Sequence, residues 1–426
     1  MQVMVSQPLV LPDEALSVAE LEGRVHAWGL AVQQQAFAEA WERQAALRGP
    51  VPCPGCQGQD LRAAGSKPRK LETSFGPVRL RRARRRCQGC GRHFQPDDAV
   101  LDPAVGAGHC TPKLRALAAL CGASWPYLQA AEVLGTLRGT RLAAETVRRS
   151  VGRTGAAVAA QQQAEAVAAC EPPASAPEPV PGPPQVEVVV DGAWVHSHDN
   201  AEGMEIKVGV VHTGSERCGR TRTRLPARRY AATAYGVARF GPLLTAAIAA
   251  LHGYDARVAT WLGDGAEWIW RLWATILWLA TPVLDRWHLR QERRRALRAA
   301  IPDKETRAPW SQRLEDWLEV GAVPEALAVL AEVAQQYPHQ ALTDFADYLR
   351  TQAPRIPDYA ARRAAGQTIG SGASEKGVDV VVNRRLKGKR GMKWWRREAE
   401  RVVALRVARL NGEWDQRLAA ALPRAA

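Results

Sequence analysis

The chain has 426 residues, of which 46% are hydrophobic and 24% charged, as in an ordinary globular protein of roughly two to four domains. Lys and Arg total 58 against 43 Asp and Glu, a net charge of +15, which favours a polyanionic partner, although a merely basic protein fits equally well. The N-terminal stretch lacks a secretory pattern and the most apolar segment, 268–284, is interrupted by Arg271 and Pro282, so we expect a cytoplasmic protein without membrane contact.

The first predicted elements are a helix and a metal-binding ribbon. Residues 16–47 carry apolar side chains at helical spacing, so we interpret residues 1–50 as a helical lead-in. Two Cys-x-x-Cys pairs follow, Cys53 with Cys56 and Cys87 with Cys90. Two such pairs predict a structural zinc site with four thiolate ligands, and a redox pair is the alternative. We therefore expect a zinc ribbon over residues 51–100.

An arginine-rich hairpin is predicted between the two cysteine pairs. Residues 73–86 contain a turn signal at 75–77 and then an arginine-rich run, 78–86. We expect four of these arginines to contact DNA phosphates: Arg81, Arg82, Arg84 and Arg85. The alternative is a solvated charged strand edge that prevents aggregation.

Residues 101–170 are predicted to be helical and to bind DNA. Thr111 and Pro112 are typical of a helix start, and a later helix holds Arg148 and Arg149. Three short helices with a basic last one are compatible with a helix-turn-helix reader, but also with an ordinary bundle. The proline-rich residues 171–185 then predict an extended linker.

The next region, residues 186–288, is predicted to be the first part of a mixed α/β core. Strand-like runs occur at 186–190, 205–212, 257–262 and 281–284, with a less certain one at 224–231 and helices at 240–251 and 266–280. Asp191 and Asp264 each follow a strand-like run beside a glycine. Carboxylates at strand ends can meet at one sheet edge and bind Mg²⁺. The alternative for each is a structural Asp-Gly turn.

The remaining chain is predicted to be an all-α insertion, residues 289–365, followed by the end of the core, residues 366–426. The basic run 290–298 could follow DNA or form a solvated helix face. Glu375 near a helix start is the candidate third acid, and Asp379, one turn later, is its rival. Four basic residues are candidates for DNA contact: Arg384, Arg385, Lys387 and Lys393.

These motifs carry a resemblance to a known family. The chain resembles the ISKra group of bacterial insertion-sequence transposases, which is related to Mutator-like transposases, through five core motifs and the zinc knuckles. The core motifs are Asp191-Gly192, residues 263–268, 285–288, 370–375 and 385–394. The resemblance implies a ribonuclease H-like core and two catalytic Mg²⁺ or Mn²⁺ ions. It also implies that Asp191, Asp264 and Glu375 are the catalytic metal ligands, with His288 holding the scissile strand. A structural role for His288, in the core or at a helix end, is the alternative.

The expected function is that of a DDE-type transposase acting on double-stranded DNA. It would cleave at insertion-sequence ends and join the freed ends to target DNA by two-metal-ion chemistry. Two ends require at least a dimer, associated with the bacterial nucleoid. The alternatives are a non-catalytic DNA-binding relic or domesticated transposase, and a metal-dependent nuclease without strand transfer.

Overall fold

The computed structural model describes residues 2–105, 109–171, 181–218, 223–370, 372–388 and 391–421. The chain divides into two compact units. One contains the residues up to Val158 together with those from Trp414 onward, and the other is Ala159–Glu413. Most of the predicted linker, residues 172–180, lies outside the described residues, as do Ser371, Lys389 and Arg390 of the C-terminal motifs.

The first unit contains a ribbon of three strands and several helices. Its elements up to the division are α1 (Val18–Leu47), β1 (Leu61–Thr73), β2 (Gly76–Cys87), β3 (His93–Phe94), α2 (Asp98–Val105), α3 (Pro112–Ser124), α4 (Tyr127–Arg138) and α5 (Ala144–Ala168), within which the division falls. The predicted start of α3 is confirmed, because the Thr111 side chain accepts a hydrogen bond from the Leu114 backbone N–H and Pro112 begins the helix. Leu71, Val78 and Leu80 of the ribbon form a small core against α1 and α2.

The hairpin differs from its predicted form. Strand β1 runs for 13 residues before the turn, and only Ser74 and Phe75 separate it from β2. Gly76 pairs with Thr73 in the antiparallel register and has φ +101°, a conformation that favours glycine. The predicted turn at 75–77 was therefore misplaced, since Gly76 and Pro77 already belong to β2.

The second unit is a mixed sheet covered by helices. Its elements, followed by the last helix of the chain, are β4 (Gln185–Val195), β5 (Met204–His212), β6 (Glu216–Arg217), β7 (Thr223–Arg224), β8 (Arg228–Thr233), α6 (Val237–Ala249), β9 (Val258–Gly263), α7 (Glu267–Ile276), β10 (Thr281–Leu284), α8 (Arg286–Ala300), α9 (Lys304–Glu319), α10 (Val323–Gln336), α11 (Gln340–Gln352), α12 (Tyr359–Ala364), α13 (Gly372–Val378), α14 (Arg384–Leu386), α15 (Arg396–Leu410) and α16 (Trp414–Ala421). Helices α8–α12 occupy the region predicted as an all-α insertion. A π-helix, Asp379–Asn383, joins α13 to α14.

The five-stranded sheet has the order β10-β9-β4-β5-β8. Strands β8, β5 and β4 are antiparallel, whereas β4, β9 and β10 are parallel. The prediction of a mixed α/β fold is therefore confirmed. Helix α6 covers one face, where Gly209 leaves room for Leu244 and Phe240. Helix α13 covers the other, where a Cβ on Gly377 would lie 2.5 Å from Val210.

Strand β4 is longer than predicted at both ends. It starts at Gln185, which the sequence assigned to the linker, and continues through Asp191 to Val195. Its parallel pairing with β9 ends at Val189, opposite Leu262, while its pairing with β5 continues. Asp191 thus lies inside the strand, not after it, because β5 supports the second half of β4.

No helix in the described part of the chain is both long and apolar enough to cross a membrane.

Candidate functional site

Three aspartates lie just beyond the paired ends of three neighbouring parallel strands. Asp191 is two residues past the last β4–β9 pair, Asp264 directly follows β9, and Asp285 directly follows β10. The carboxyl ends of parallel strands meet at one edge of a sheet. The structure therefore brings Asp191 and Asp264 together, and adds Asp285 to them.

Asp191 is a crowded, mostly buried carboxylate. Its Oδ1 accepts a hydrogen bond of 2.7 Å from the backbone N–H of Gly192. Burial, and then the negative charges of Asp264 and Asp285, raise its pKa to about 6, against the opposing effects of that hydrogen bond and of His288. Asp191 is thus held in an electrostatic environment that a nearby cation would relieve.

The turn after β9 fixes the direction of Asp264. Its Oδ1 accepts a hydrogen bond of 2.9 Å from the Ala266 backbone N–H. Between them, Gly265 has φ +105°, which side-chain-bearing residues rarely adopt. Asp264 therefore both forms an Asp-Gly turn and lies at the aspartate cluster. The two interpretations are compatible, because the turn itself directs the carboxylate.

Asp285 and His288 form a hydrogen-bonded pair at the start of α8. Asp285 is fully buried and caps the helix, with Oδ1 accepting from the Trp287 backbone N–H. Its Oδ2 lies 2.8 Å from Nδ1 of His288. This bond, despite partial burial of the ring, raises the pKa of His288, and the charges of Asp264 and Asp191 add to the effect.

The sequence interpretation named His288 but assigned no role to Asp285. The sequence does contain a pattern that indicates such a role: Asp285 is an acid directly after a short strand and three residues before a histidine on a helix. On a helix, residues three apart share a face. Only the sheet, however, shows that Asp285 joins Asp191 and Asp264.

Glu375 lies in the first turn of α13 and is exposed. Helix α13 packs on the same face of the sheet as Asp191, because Asp191 pairs with Val208, which lies beneath Gly377. The Glu375 side chain makes no hydrogen bond or ion pair with any of the described residues. The rival acid Asp379 begins the π-helix and pairs with Arg384 at 2.8 Å, so its charge is already balanced.

The four cysteines form a compact cluster. The sulfur atoms of Cys53, Cys56, Cys87 and Cys90 all lie within 4.8 Å of one another, and no other set of three or more His, Cys, Asp or Glu in the described ranges does so. In the two matching knuckles, Gln57 and Gly91 donate backbone hydrogen bonds to the carbonyls of Cys53 and Cys87. The cluster could therefore bind a structural metal such as zinc.

The arginines predicted to contact DNA divide into exposed and buried groups. Arg82 is buried and pairs with Asp98, and Arg385 is buried over the ring of Trp394. Neither guanidinium lies on the surface, because both side chains face the packed side of their element. The other candidates are at least partly exposed: Arg81, Arg84, Arg85, Arg148, Arg149, Arg384, Lys387 and Lys393.

Several of the exposed arginines already have an acidic neighbour. Arg148 and Arg149 both pair with Glu145 on α5, and exposed pairs of this kind are weak enough to be exchanged for phosphates. Two arginines of the basic run 290–298 form ion pairs with the neighbouring helix instead. Arg290 and Arg293 both bind Glu315, so these two side chains hold α8 to α9.

Comparison with known proteins identifies the family. A family model described as an uncharacterised protein family (UPF0236) matches residues 58–419. That span covers most of the chain, so the protein belongs to this family. No curated protein matches it.

Proposed function

We propose that this member of the UPF0236 family is a DDE-type DNA transposase. It would cleave double-stranded DNA at insertion-sequence ends and join the freed ends to target DNA. The observation that carries the proposal is the convergence of Asp191, Asp264 and the Asp285–His288 pair beyond three adjacent parallel strands. The resemblance of the same motifs to ISKra-group transposases supports it.

The ligand chemistry at this edge suits hard divalent cations, although no three of its described ligand atoms lie as close together as the four cysteine sulfurs do. Carboxylate oxygens are the ligands that Mg²⁺ and Mn²⁺ prefer. Burial raises the pKa of Asp191, and the charges of Asp264 and Asp285 add to that effect. Asp191 and Asp264 would hold the metal, with Glu375 as the third acid once α13 meets DNA. When bound, such ions activate water and stabilise the leaving oxygen in phosphodiester cleavage.

His288 and Asp285 are assigned to orienting the DNA strand. Asp285 fixes the imidazole through Nδ1, which leaves Nε2 to donate a hydrogen bond to a phosphate oxygen. The same bond favours the protonated ring, and a cation near the scissile phosphate strengthens that contact. Asp285 thus acts through His288.

Further features support the finer parts of the proposal. The sheet has three antiparallel strands, β4, β5 and β8, extended by the parallel strands β9 and β10. Asp191 lies on β4 and Asp264 directly follows β9, which are the first and fourth strands of this sheet in chain order. This arrangement supports a ribonuclease H-like core. The cysteine cluster and the exposed arginines of β2 would bind terminal repeats. Two element ends require at least a dimer, acting at the nucleoid.

The test is cleavage of a labelled duplex that carries the ends flanking this gene, with Mg²⁺ or Mn²⁺. The wild type is compared with Asp264→Asn and with the surface control Asp316→Asn. We expect metal-dependent cuts at the element boundary in the wild type and control, and none in Asp264→Asn, with DNA binding retained. Cleavage by Asp264→Asn would remove this residue from the catalytic site.

A second candidate function is DNA binding without catalysis. The observation that favours it is the exposed position of Glu375, whose side chain no described residue fixes toward the three aspartates. Tight DNA binding with no cut in any variant would support this alternative. Cuts without joining to a second duplex would indicate a nuclease instead.

A further inference from the structure

We propose that helix α11 of the all-α insertion positions the Asp264 turn, with Gln352 and Tyr348 as the positioning residues. The proposal rests on the proposed function for its catalytic meaning. Its structural part, the support of one turn by one helix, stands on contacts within the second unit. It gives the insertion a role in the site itself.

Gln352 makes the direct contact. This side chain is 4% exposed, and its Nε2 donates a hydrogen bond of 3.0 Å to the carbonyl oxygen of Gly265. The residues are 87 positions apart in sequence. A buried amide that bonds the backbone of a turn holds that turn in place, because breaking the bond leaves the buried Gln352 amide N–H without this partner.

Tyr348 supports the same turn one helical turn earlier. Its hydroxyl oxygen would lie 2.9 Å from a Cβ placed on Gly265, so the phenol closes the space beside the glycine. Residues four apart on a helix share a face, and Tyr348 and Gln352 therefore contact Gly265 together. This packing explains why position 265 requires glycine for space as well as for backbone conformation.

The Tyr348 hydroxyl is also a hydrogen-bond donor, and the charges of three carboxylates act on it. It is buried and has no hydrogen-bond partner among the described residues. Burial, and then the charges of Glu292, Asp264 and Asp285, raise its pKa above the ordinary value, so the phenol keeps its proton. Buried hydroxyls normally find a partner, and the surrounding groups at this edge are carboxylates.

Helix α11 is itself firmly held. Leu342, Phe345 and Leu349 belong to the main hydrophobic core of the second unit, and the rings of Phe345 and Tyr348 stack at 6.3 Å. The support of Asp264 therefore comes from a rigid element. Small displacements of a catalytic group can lower the rate by about 10²-fold, so loosening this turn has a measurable effect on chemistry.

The experiment measures amide hydrogen exchange in the full-length protein without added Mg²⁺ or Mn²⁺. Two variants remove donors with little change of shape: Gln352→Glu and Tyr348→Phe. The matched control is Tyr337→Phe, which removes a hydroxyl elsewhere in the insertion. We expect exchange in residues 263–267 to become about tenfold faster in Gln352→Glu, which loses the hydrogen bond to Gly265. The increase should be smaller in Tyr348→Phe, which loses only the packing of its hydroxyl oxygen beside Gly265. The control should match the wild type.

Cleavage kinetics of the same proteins supply the catalytic readout. We expect kcat to fall about tenfold in Gln352→Glu while DNA affinity and KM stay unchanged, since none of the basic residues assigned to DNA is altered. Unchanged exchange at 263–267 in both variants would overturn the proposal. If Gln352→Glu increases exchange throughout the second unit, the exchange of residues 263–267 in Tyr348→Phe becomes the test of the proposal. A wild type that cuts no DNA would refute the proposed function. The exchange result would still test whether α11 holds the Asp264 turn in place.

Discussion

Replacing Asp191 by asparagine should stabilise the protein while abolishing its activity. The pKa of this carboxyl is raised from 3.8 to about 6 in the folded protein, first by burial. A shift of this size corresponds to about 3 kcal/mol of destabilisation when the carboxylate is charged. Asparagine removes the charge and keeps an oxygen that can accept the hydrogen bond from Gly192. We expect a gain of about 1 to 3 kcal/mol in the free energy of unfolding.

The sign of this effect depends on pH. Because the folded-state pKa is the higher one, the cost of the charged form is absent below about pH 4 and complete above about pH 6. The gain from Asp191→Asn should therefore be present at pH 8 and small at pH 4. Added Mg²⁺ should reduce it, since a bound cation stabilises only the wild-type carboxylate.

The assay is urea denaturation followed by tryptophan fluorescence, with zinc retained and with or without Mg²⁺. Asp316→Asn, on the exposed side of α9, is the surface control and should change stability by less than about 0.5 kcal/mol. An Asp191→Asn protein that is no more stable at pH 8, or that gains equally at pH 4, would refute the conclusion that burying the Asp191 carboxylate destabilises the fold.

Three further predictions concern the ribbon and the histidine. Cys87→Ser should release the zinc and unfold the ribbon, measured by metal content after gel filtration and by hydrogen exchange in residues 53–94. Arg82→Ala should cost about 2 kcal/mol in unfolding free energy because it removes a buried guanidinium that pairs with Asp98, which keeps Arg69 as a partner, whereas Arg81→Ala should leave stability unchanged and reduce the salt dependence of DNA binding by about one charge. Asp285→Asn should lower the pKa of His288, because their hydrogen bond raises it, as followed by NMR titration; an unchanged pKa would contradict the role assigned to the pair.

The sequence predicted the features that depend on local spacing. Two Cys-x-x-Cys pairs bring four sulfur atoms together because each knuckle forms within a few residues and one hairpin joins them. The cap of α3 was predictable for the same reason, since Thr111 and Pro112 act within a single turn. The alternation of strands and helices from residue 186 onward likewise indicated a mixed α/β fold.

The burial of individual side chains was not predictable from such patterns. Arg81 and Arg82 are neighbours in one strand, yet the first is exposed and the second pairs with Asp98 inside the unit. The alternation of side chains along a strand puts them on opposite faces, but only the packing of α1 and α2 decides which face is covered. A run of arginines therefore does not show which of them reach DNA.

The sequence by itself thus determined the four-cysteine cluster, the class of fold and the turn that directs Asp264, because these depend on contacts within one or two elements. Only the tertiary structure decided that Asp285 joins Asp191, since their strands are separated by β9 in the sheet and by almost the whole first part of the core in sequence. It also decided that Gln352 supports a turn 87 residues away. Such contacts depend on how elements pack, and local periodicity carries no information about which elements meet.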